Sequence, residues 1–575
     1  MTSTSNGAIA EALDELGDLY ELDGAVIHRV LAYRTAAKVV RDAPVSVAAL
    51  TREGRVTELP GIGATLEQKI RDLLDTGEIP AAVKLRERYP PGLLAITGLP
   101  GVGPKRARRL FDELAIDSPE ALREAATAQR LRNLKGFGAK FEESVLAALA
   151  AGGAERSSHR VVLDRALAIG ELLRNALRDL DPTGRVEIAG SARRHCESVK
   201  DLDIVLDRPG LLDRVASLEL IESASRTSEA GARARTHSGM VVELRAVAPE
   251  QFGNLLQHLT GSAAHNAALR EGAVRKGLHV SEYGVLDDAT QTTHVCASEA
   301  ALYELIGLRY IEPELRENRG ELEAALTGTL PTLVQLTDIR GDLHCHTTAS
   351  DGRASIEEMA LAARERGHEY LAITDHSATH GFGDDVSPDQ LRRQIELIRE
   401  ADERIEGIRL LAGSEVNILP DGALDYEDEL LGQLDWVIAS VHTAFSLDAD
   451  AMTTRVIAAA RHPRVDALGH LTGRLIERRA PYALDVDAVI AACAQAGTLI
   501  EINSSPDRRD LNEIHARAAV AGGVGIVINS DAHSPAGLDV LRYGIWTAQR
   551  AWLGPPAIYN TLAWPELEAK LKQPR

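Results

Sequence analysis

Residues 341–352 read GDLHCHTTASDG, and this stretch decides how the C-terminal part of the chain folds. A short strand ends in His344 and His346, which alternate onto one face while Cys345 points to the other. Asp351 follows on the loop. Downstream, the short apolar strands YLAIT, RLLAG, DWVIAS, TLIEIN and GIVIN alternate with longer amphipathic helices. That alternation predicts parallel β/α units closing into a barrel. The strand ends carry His376 in YLAITDH, Glu415 in GSE, His442 in ASVHT, His470 in ALGH, and Asp531 with His533 in NSDAH. Barrel enzymes build their sites at these ends. A single histidine is more often a packed or surface residue than a ligand, but the joint pattern is not random. Mixed imidazole and carboxylate donors suit Zn²⁺ or Mn²⁺, and nine such groups exceed what one ion can use. Several divalent ions so held form a hydrolytic centre for phosphate esters.

Upstream, a polar stretch around Glu312–Thr329 separates this region from one of mixed helix and strand. There the strands are VEIAGS, DLDIVLD and VVELRAV. Residues 187–207, EIAGSARRHCESVKDLDIVLD, place Asp201 and Asp203 two apart in a strand, so that both carboxylates face one way. Paired carboxylates repel unless a cation lies between them, which is how Mg²⁺ or Mn²⁺ is held for phosphoryl transfer. Gly190 and Ser191, on a turn, offer N–H and hydroxyl donors to a triphosphate, and Arg194 counters its charge.

The first quarter repeats one pattern three times: LPGIG (59–63), LPGVG (99–103) and LKGFG (134–138), each followed by a helix-compatible run. Gly61, Gly63, Gly101 and Gly103 permit tight turns and close approach of a phosphate to backbone N–H groups. Lys105 and Arg106 add phosphate-pairing charge after the second copy. Such hairpins grip a DNA backbone without reading its sequence. Ala151-Gly-Gly-Ala154 marks a boundary.

At 575 residues the chain needs several cores. Its 45% hydrophobic and 26% charged content is that of a globular protein, and no apolar run is long enough to cross a bilayer. No signal peptide is read, and four scattered cysteines without a CxxC suit a reducing cytoplasm. The net charge of -21 argues against a simple nucleic-acid-coating protein. Residues 1–150, however, hold 20 Lys+Arg against 21 Asp+Glu, so the acid excess lies downstream.

The GSxRR…DxD segment resembles the nucleotidyltransferase palm of family X DNA polymerases, the polymerase beta-like group, and the likeness extends over residues 1–310. It implies that Asp201, Asp203 and Glu243 (in VVELRAV) hold the polymerase metals, and that Gly190, Ser191 and Arg194 bind a deoxynucleoside triphosphate. Asn266 and Arg270, in TGSAAHNAALR, match residues facing the nascent base pair and template. His28 and the first hairpin resemble the family's lyase subdomain, with Lys69 at the position of its Schiff-base lysine. Residues 338–575 resemble the PHP (polymerase and histidinol phosphatase) family, which implies His344, His346, Asp351, His376, Glu415, His442, His470, Asp531 and His533 as ligands of three Mn²⁺ or Zn²⁺ ions. Asp375 then orients a histidine, and Asn503 with Arg508 and Arg509 faces substrate phosphate or forms a solvated loop.

Three positions depart from the family. Glu243 replaces an aspartate, His258-Leu259 replaces an aromatic pair that screens the sugar, and Lys200 replaces a small residue beside the triphosphate. These departures imply weakened polymerisation and sugar discrimination.

The fold expected is multidomain α and α/β. It comprises a lyase-like helix-hairpin-helix segment (1–85), a second one (86–154), an α+β palm (155–245), a nucleotide-closing thumb-like segment (246–315), a linker (316–337) and a distorted (β/α) PHP barrel (338–575). The function expected is gap-filling DNA synthesis in base excision or break repair, with 3′–5′ exonuclease, 3′-end processing and abasic-site cleavage. The alternative is a PHP phosphodiesterase whose polymerase half is a DNA-binding scaffold. Expected partners are gapped, nicked or 3′-damaged DNA and dNTPs, with no membrane, for a monomer in the cytoplasm at the nucleoid.

Overall fold

Capping and apolar spacing build the N-terminal helices. In the computed structural model, which describes residues 4–99, 101–150, 160–381 and 385–571, the Ser5 hydroxyl accepts from the Ala8 N–H and starts α1 (Asn6–Leu22). Ile9, Leu13, Leu16 and Leu19 form its buried stripe, which packs on α2 (Ile27–Asp42). Helices α3 (Ala64–Thr76), α4 (Gly103–Leu114) and α5 (Ala139–Ala150) begin at or just after the last glycine of the three repeats. The expected boundary at 151–154 lies outside the described residues.

The chain divides into two compact units. One comprises Met1–Val161, Ala168–Ile188 and Lys200–Pro249; the other comprises Val162–Leu167, Ala189–Val199 and Glu250–Arg575. Beside its helices, the first unit holds a five-stranded sheet of β1 (Val186–Ile188), β2 (Leu202–Leu206), β3 (Ile221–Ser228), β4 (Gly231–Thr236) and β5 (Val241–Ala246). The order is β1-β2-β5-β4-β3, with only β2 and β5 running parallel. Two expectations about these strands need correction. Asp201 stands just before β2 and not within it, and the chain leaves β1 at Ala189 to form a helical turn over Gly190–Arg193. Gly190 adopts φ +65°, a left-handed conformation that a strand residue does not take.

The second unit carries α6 (Phe252–Thr260), α7 (Ala263–Val274) and an antiparallel sheet of β6 (Leu278–Ser281), β7 (Gly284–Asp287) and β8 (Thr292–His294). A buried carboxylate holds this part to the Gly190 turn: Glu299 accepts from Arg193 at 2.6 and 2.9 Å and from Arg316 at 2.6 Å. The barrel follows, as expected. Its seven parallel strands lie in chain order: β9 (Gly341–Cys345), β10 (Tyr370–Ile373), β11 (Arg409–Asn417), β12 (Trp436–Ser440), β13 (Ala467–Leu468), β14 (Leu499–Asn503) and β15 (Ile526–Asn529). Nearly every strand residue is buried, because a parallel sheet is covered on both faces. Leu343, Leu411, Trp436, Ile438, Leu499 and Val527 share one apolar cluster with Trp564 and Leu567 near the C-terminus. The His346 N–H donates to the Ala532 carbonyl at 2.8 Å, which joins the start of the barrel to its end. Helix α8 (Leu541–Arg550) packs outside β14 and β15.

Burial alone raises the pKa of Glu299, but Arg316 and Arg193 outweigh it and hold the carboxyl at about 2. A depressed pKa adds stability above the ordinary glutamate value, and that stability is lost as pH falls through the folded one. Thermal unfolding across pH is expected to show Glu299→Gln about 3 kcal/mol less stable than the parent near neutrality. The gap should narrow steadily below about pH 4.5 as the parent's carboxyl takes up its proton.

Candidate metal centre

All nine sequence-identified ligands of the barrel meet at the carboxyl ends of its strands. His344 ends β9 fully buried, and its Nε2 lies 3.4 Å from Glu415 Oε2 and 3.5 Å from Asp531 Oδ1. His346 Nε2 approaches Asp531 Oδ1 at 3.0 Å and Glu415 Oε2 at 3.6 Å. Glu415, on β11 and buried, is the hub. It also meets His376 Nδ1 at 2.9 Å, His442 Nε2 at 3.1 Å and His470 Nε2 at 2.7 Å. Asp351 closes the outer side, 3.2 Å from His533 Nε2, 3.6 Å from His376 Nε2 and 3.8 Å from His346 Nδ1. The loop reaches there because residue 352 is glycine: a Cβ at Gly352 would stand 2.6 Å from the His346 carbonyl oxygen.

Three overlapping groups have donor atoms close enough to share an ion: His346, Asp351, His376 and His533; His344, His346 and Asp531; and His376, Glu415 and His442. Among the described residues, His344 Nε2, His346 Nδ1 and Glu415 Oε2 are buried and lack a hydrogen-bond partner. Buried polar atoms are seldom left so, and nitrogen and carboxylate donors aimed at one another are what a divalent cation satisfies. The residues fit metal ions.

The electrostatics agree. Burial would raise the carboxyls of Glu415 and Asp531, yet the surrounding imidazoles hold both well below the usual range. Burial and the neighbouring rings push His442 and His346 down to about 4. His533 resists desolvation and rises to about 9 beside Asp351 and Asp531.

Several residues around the centre do work that the sequence did not reveal. Glu501, buried in the middle of β14, accepts from or pairs with His344 Nδ1 at 2.7 Å and accepts from the His470 N–H at 2.8 Å and Asn529 Nδ2 at 3.0 Å. It fixes the His344 ring so that Nε2 faces the ligand cluster. Its signal was an acid inside the apolar run LIEIN. Asn503 is buried and donates to Asp531 at 3.0 Å. Arg509 is also buried, with its guanidinium on Thr547 Oγ1 and the His195 carbonyl. Asp375 orients a loop and not a histidine, accepting from the Thr347 N–H and hydroxyl at 2.7 Å.

The other candidate residues fall in both units. In the first, Asp203 and Glu243 are cross-strand neighbours on parallel β2 and β5, and Arg233 on β4 pairs with Glu243 at 3.1 Å. Asp201, Asp203 and Glu243 do not meet as a metal-ready group among the described residues. Gly61 and Gly101 adopt φ +77° and +79°, which requires glycine. Gly63 does not, yet nothing lies within 4 Å of where its Cβ would stand. The same space is open at Gly103. Lys105, Arg106 and His28 are exposed, and Lys69 is half-buried on α3. In the second unit, Gly190 and Ser191 begin the helical turn that precedes Arg194. Arg194 donates from Nε to Glu317 at 3.0 Å and from Nη1 to the Thr260 carbonyl at 2.5 Å. Asn266 donates to the His258 carbonyl at 2.7 Å, and Arg270 meets His258 Nδ1 at 2.7 Å.

Comparison with known proteins extends these observations. Residues 4–79 match a helix-hairpin-helix domain, 93–151 a SAM-like helix-hairpin-helix tandem, 255–317 the DNA polymerase beta thumb, and 342–505 the PHP domain. The chain is 35% identical over 570 residues to the DNA polymerase/3′-5′ exonuclease PolX of Bacillus subtilis, covering 98% of this chain and 99% of that protein. It is 34% identical over 220 residues to a probable phosphatase of Thermoanaerobacter pseudethanolicus (35% of this chain, 81% of that protein). A probable phosphatase of Shewanella oneidensis is 31% identical over 202 residues (33% of this chain, 75% of that protein).

Glu501→Gln keeps the shape of the side chain but removes the charge that holds His344 and its neighbours. Manganese titration followed by calorimetry is expected to show affinity lowered about 10- to 100-fold. The far-ultraviolet circular dichroism should be unchanged.

Proposed function

The chain belongs to the bacterial family X DNA polymerases that carry a C-terminal PHP domain, and from that premise we propose that it is a DNA polymerase with a 3′–5′ exonuclease in its barrel. The observation that carries the reading is the convergence of five imidazoles on buried Glu415, with Asp531, Asp351 and His533 beside them, in a chain whose likeness to a polymerase/exonuclease runs end to end. Divalent ions held there, three of Mn²⁺ or Zn²⁺, supply the Lewis acidity that phosphodiester hydrolysis needs. The protein's own part is to exclude water from the inner ligands, to fix His344 through Glu501, and to leave Asp351 and His533 at the open rim toward the phosphate.

In this reading residues 1–85 and 86–154 bind gapped, nicked or 3′-damaged DNA, with Lys69 placed as a lyase nucleophile. Segments 155–245 and 246–315 use Mg²⁺ or Mn²⁺ at Asp201, Asp203 and Glu243 to add a dNTP. Segment 316–337 links them to the hydrolase of 338–575. The barrel trims and cleans 3′ ends and cleaves at abasic sites, so that synthesis and end processing serve base excision and break repair. The protein acts as a monomer on cytoplasmic, nucleoid DNA.

A second reading rests on the Arg233–Glu243 pair, in which the long acid at the aspartate position is already engaged by a neighbouring cation. There the polymerase half is chiefly a DNA-binding scaffold. One-nucleotide gap filling separates the two. Glu243→Asp is expected to raise incorporation about 10- to 100-fold if side-chain length limits the reaction, and strong incorporation by the parent chain removes the scaffold reading. For the barrel, Mn²⁺-dependent shortening of labelled single-stranded DNA is expected to fall at least about 100-fold in His344→Ala. Equal shortening by parent and variant overturns the exonuclease.

A further inference from the structure

Two successive arginines of the GSxRR turn have different fates. Arg193 is locked on Glu299. Arg194, the residue that the proposed function gives to the triphosphate, is instead held by Glu317 at 3.0 Å, with side-chain exposures of only 13% and 17%. The Arg194 Nη1 also donates to the Thr260 carbonyl at 2.5 Å, so among the described residues Glu317 is the one charged group with which a triphosphate competes for this guanidinium.

Glu317 is not a loose partner that would simply follow Arg194. Its Oε1 also accepts from Arg550 Nη1 at 2.9 Å, and Arg550, on α8, is anchored by Glu513 at 3.0 Å. The same Arg550 nitrogen donates to the Arg194 carbonyl at 2.8 Å. Neighbouring contacts fix the rest of the turn. The His195 carbonyl accepts from Arg509 at 2.9 Å, the His195 ring stacks on Trp546 at 3.9 Å, and Glu197 accepts from Arg474 at 2.7 Å. The backbone from 194 to 197 is therefore pinned to residues of the barrel and its outer helix, and Glu317 is pinned with it. What remains free to change partner is the Arg194 side chain.

Charge points the same way. Arg194 and Arg550 balance Glu317 and Glu513, so these four groups offer no net attraction to a polyanion. Buried guanidinium–carboxylate pairs with charge-assisted hydrogen bonds are strong enough to compete with a ligand.

We infer that Glu317 sets how tightly this chain holds a nucleoside triphosphate, by competing with the triphosphate for Arg194. Glu317 touches neither substrate nor metal; it is a positioning residue, and it ties nucleotide affinity to the barrel through Arg550. The inference rests on the reading of the Gly190–Arg194 turn as a triphosphate site.

The test uses the full chain bound to one-nucleotide-gapped DNA and a non-hydrolysable dNTP analogue, with the dissociation constant measured by calorimetry and the KM and kcat of gap filling measured beside it. Glu317→Gln keeps the shape, removes the competing charge and leaves Arg550 its bonds to Glu513 and the Arg194 carbonyl. The expected result is a dissociation constant and KM lowered about ten-fold with kcat unchanged. In an Arg194→Met background the same substitution should change neither constant, because the competition has lost its object. Mn²⁺-dependent shortening of single-stranded DNA, which uses neither residue, reports that each variant is folded. An unchanged constant in a Glu317→Gln chain that does bind the analogue overturns the inference alone. So does an equal shift in the Arg194→Met background, which would make Glu317 a structural residue. If neither parent nor Glu317→Gln takes up the analogue, the assignment of the turn falls, and this inference with it.

Discussion

A carboxylate buried at the mouth of a barrel, faced by five imidazoles, is the constraint from which the C-terminal half follows. Glu415 is buried, and an isolated charge in such a place is expensive. The imidazoles of His344, His346, His376, His442 and His470 converge on it from four strands, but among the described residues crowding that many rings around one acid leaves His344 Nε2 and His346 Nδ1 buried without a hydrogen bond. Cations resolve both problems at once. The interior beneath the cluster is mainly apolar, and the few polar groups it holds, such as Glu501 and Asn529, are hydrogen-bonded to each other or to the ligands. Fold and site are thus two sides of one arrangement: parallel strands put their carboxyl ends together, and there His346 stacks on His533, 187 residues further along, with ring centroids 4.2 Å apart.

This explains which parts of the centre could be read beforehand. Candidate ligands sit at strand ends in short polar motifs, so HxH, DH and DxH stand out against apolar runs, and the resemblance to the PHP family implies the full set. Glu501 was less visible, since it sits within a strand and serves His344 from behind, although an acid in LIEIN was a signal. Asn503 and Arg509 were legible only as residue types. A polar residue near a site suggests substrate, while burial, which sequence does not give, assigns Asn503 to Asp531 and Arg509 to Thr547 and a carbonyl. Asp375 belongs to a ligand-like motif but turns toward Thr347.

The N-terminal half shows the opposite balance. Glycine repeats were legible because backbone geometry demands them: Gly61 and Gly101 are left-handed. Gly63 is the more telling residue. Neither its φ nor any neighbouring atom requires glycine, and the space beside its backbone is open to an approaching group. The palm carboxylates were legible as residue types but not in their placement. Asp201 precedes its strand, and Glu243, one methylene longer than aspartate, extends into reach of Arg233. Side-chain length at one position changes which partner wins, and no spacing rule records that.

Consecutive charged residues sharpen the point. The pair Arg193-Arg194 reads as one basic dipeptide, yet the two guanidinium groups are held by different acids, Glu299 and Glu317, from different stretches of the chain. Glu299 is bracketed by two arginines and has no reason to release either. Glu317 is shared between an arginine beside it and one on a helix outside the barrel. The turn is thus anchored through the Arg194 and His195 carbonyls, while the Arg194 side chain is held separately by Glu317. In that sense the hydrolase barrel is more than a neighbour of the GSxRR turn: through Arg550, Arg509 and Arg474 it supplies part of the frame on which the turn is built.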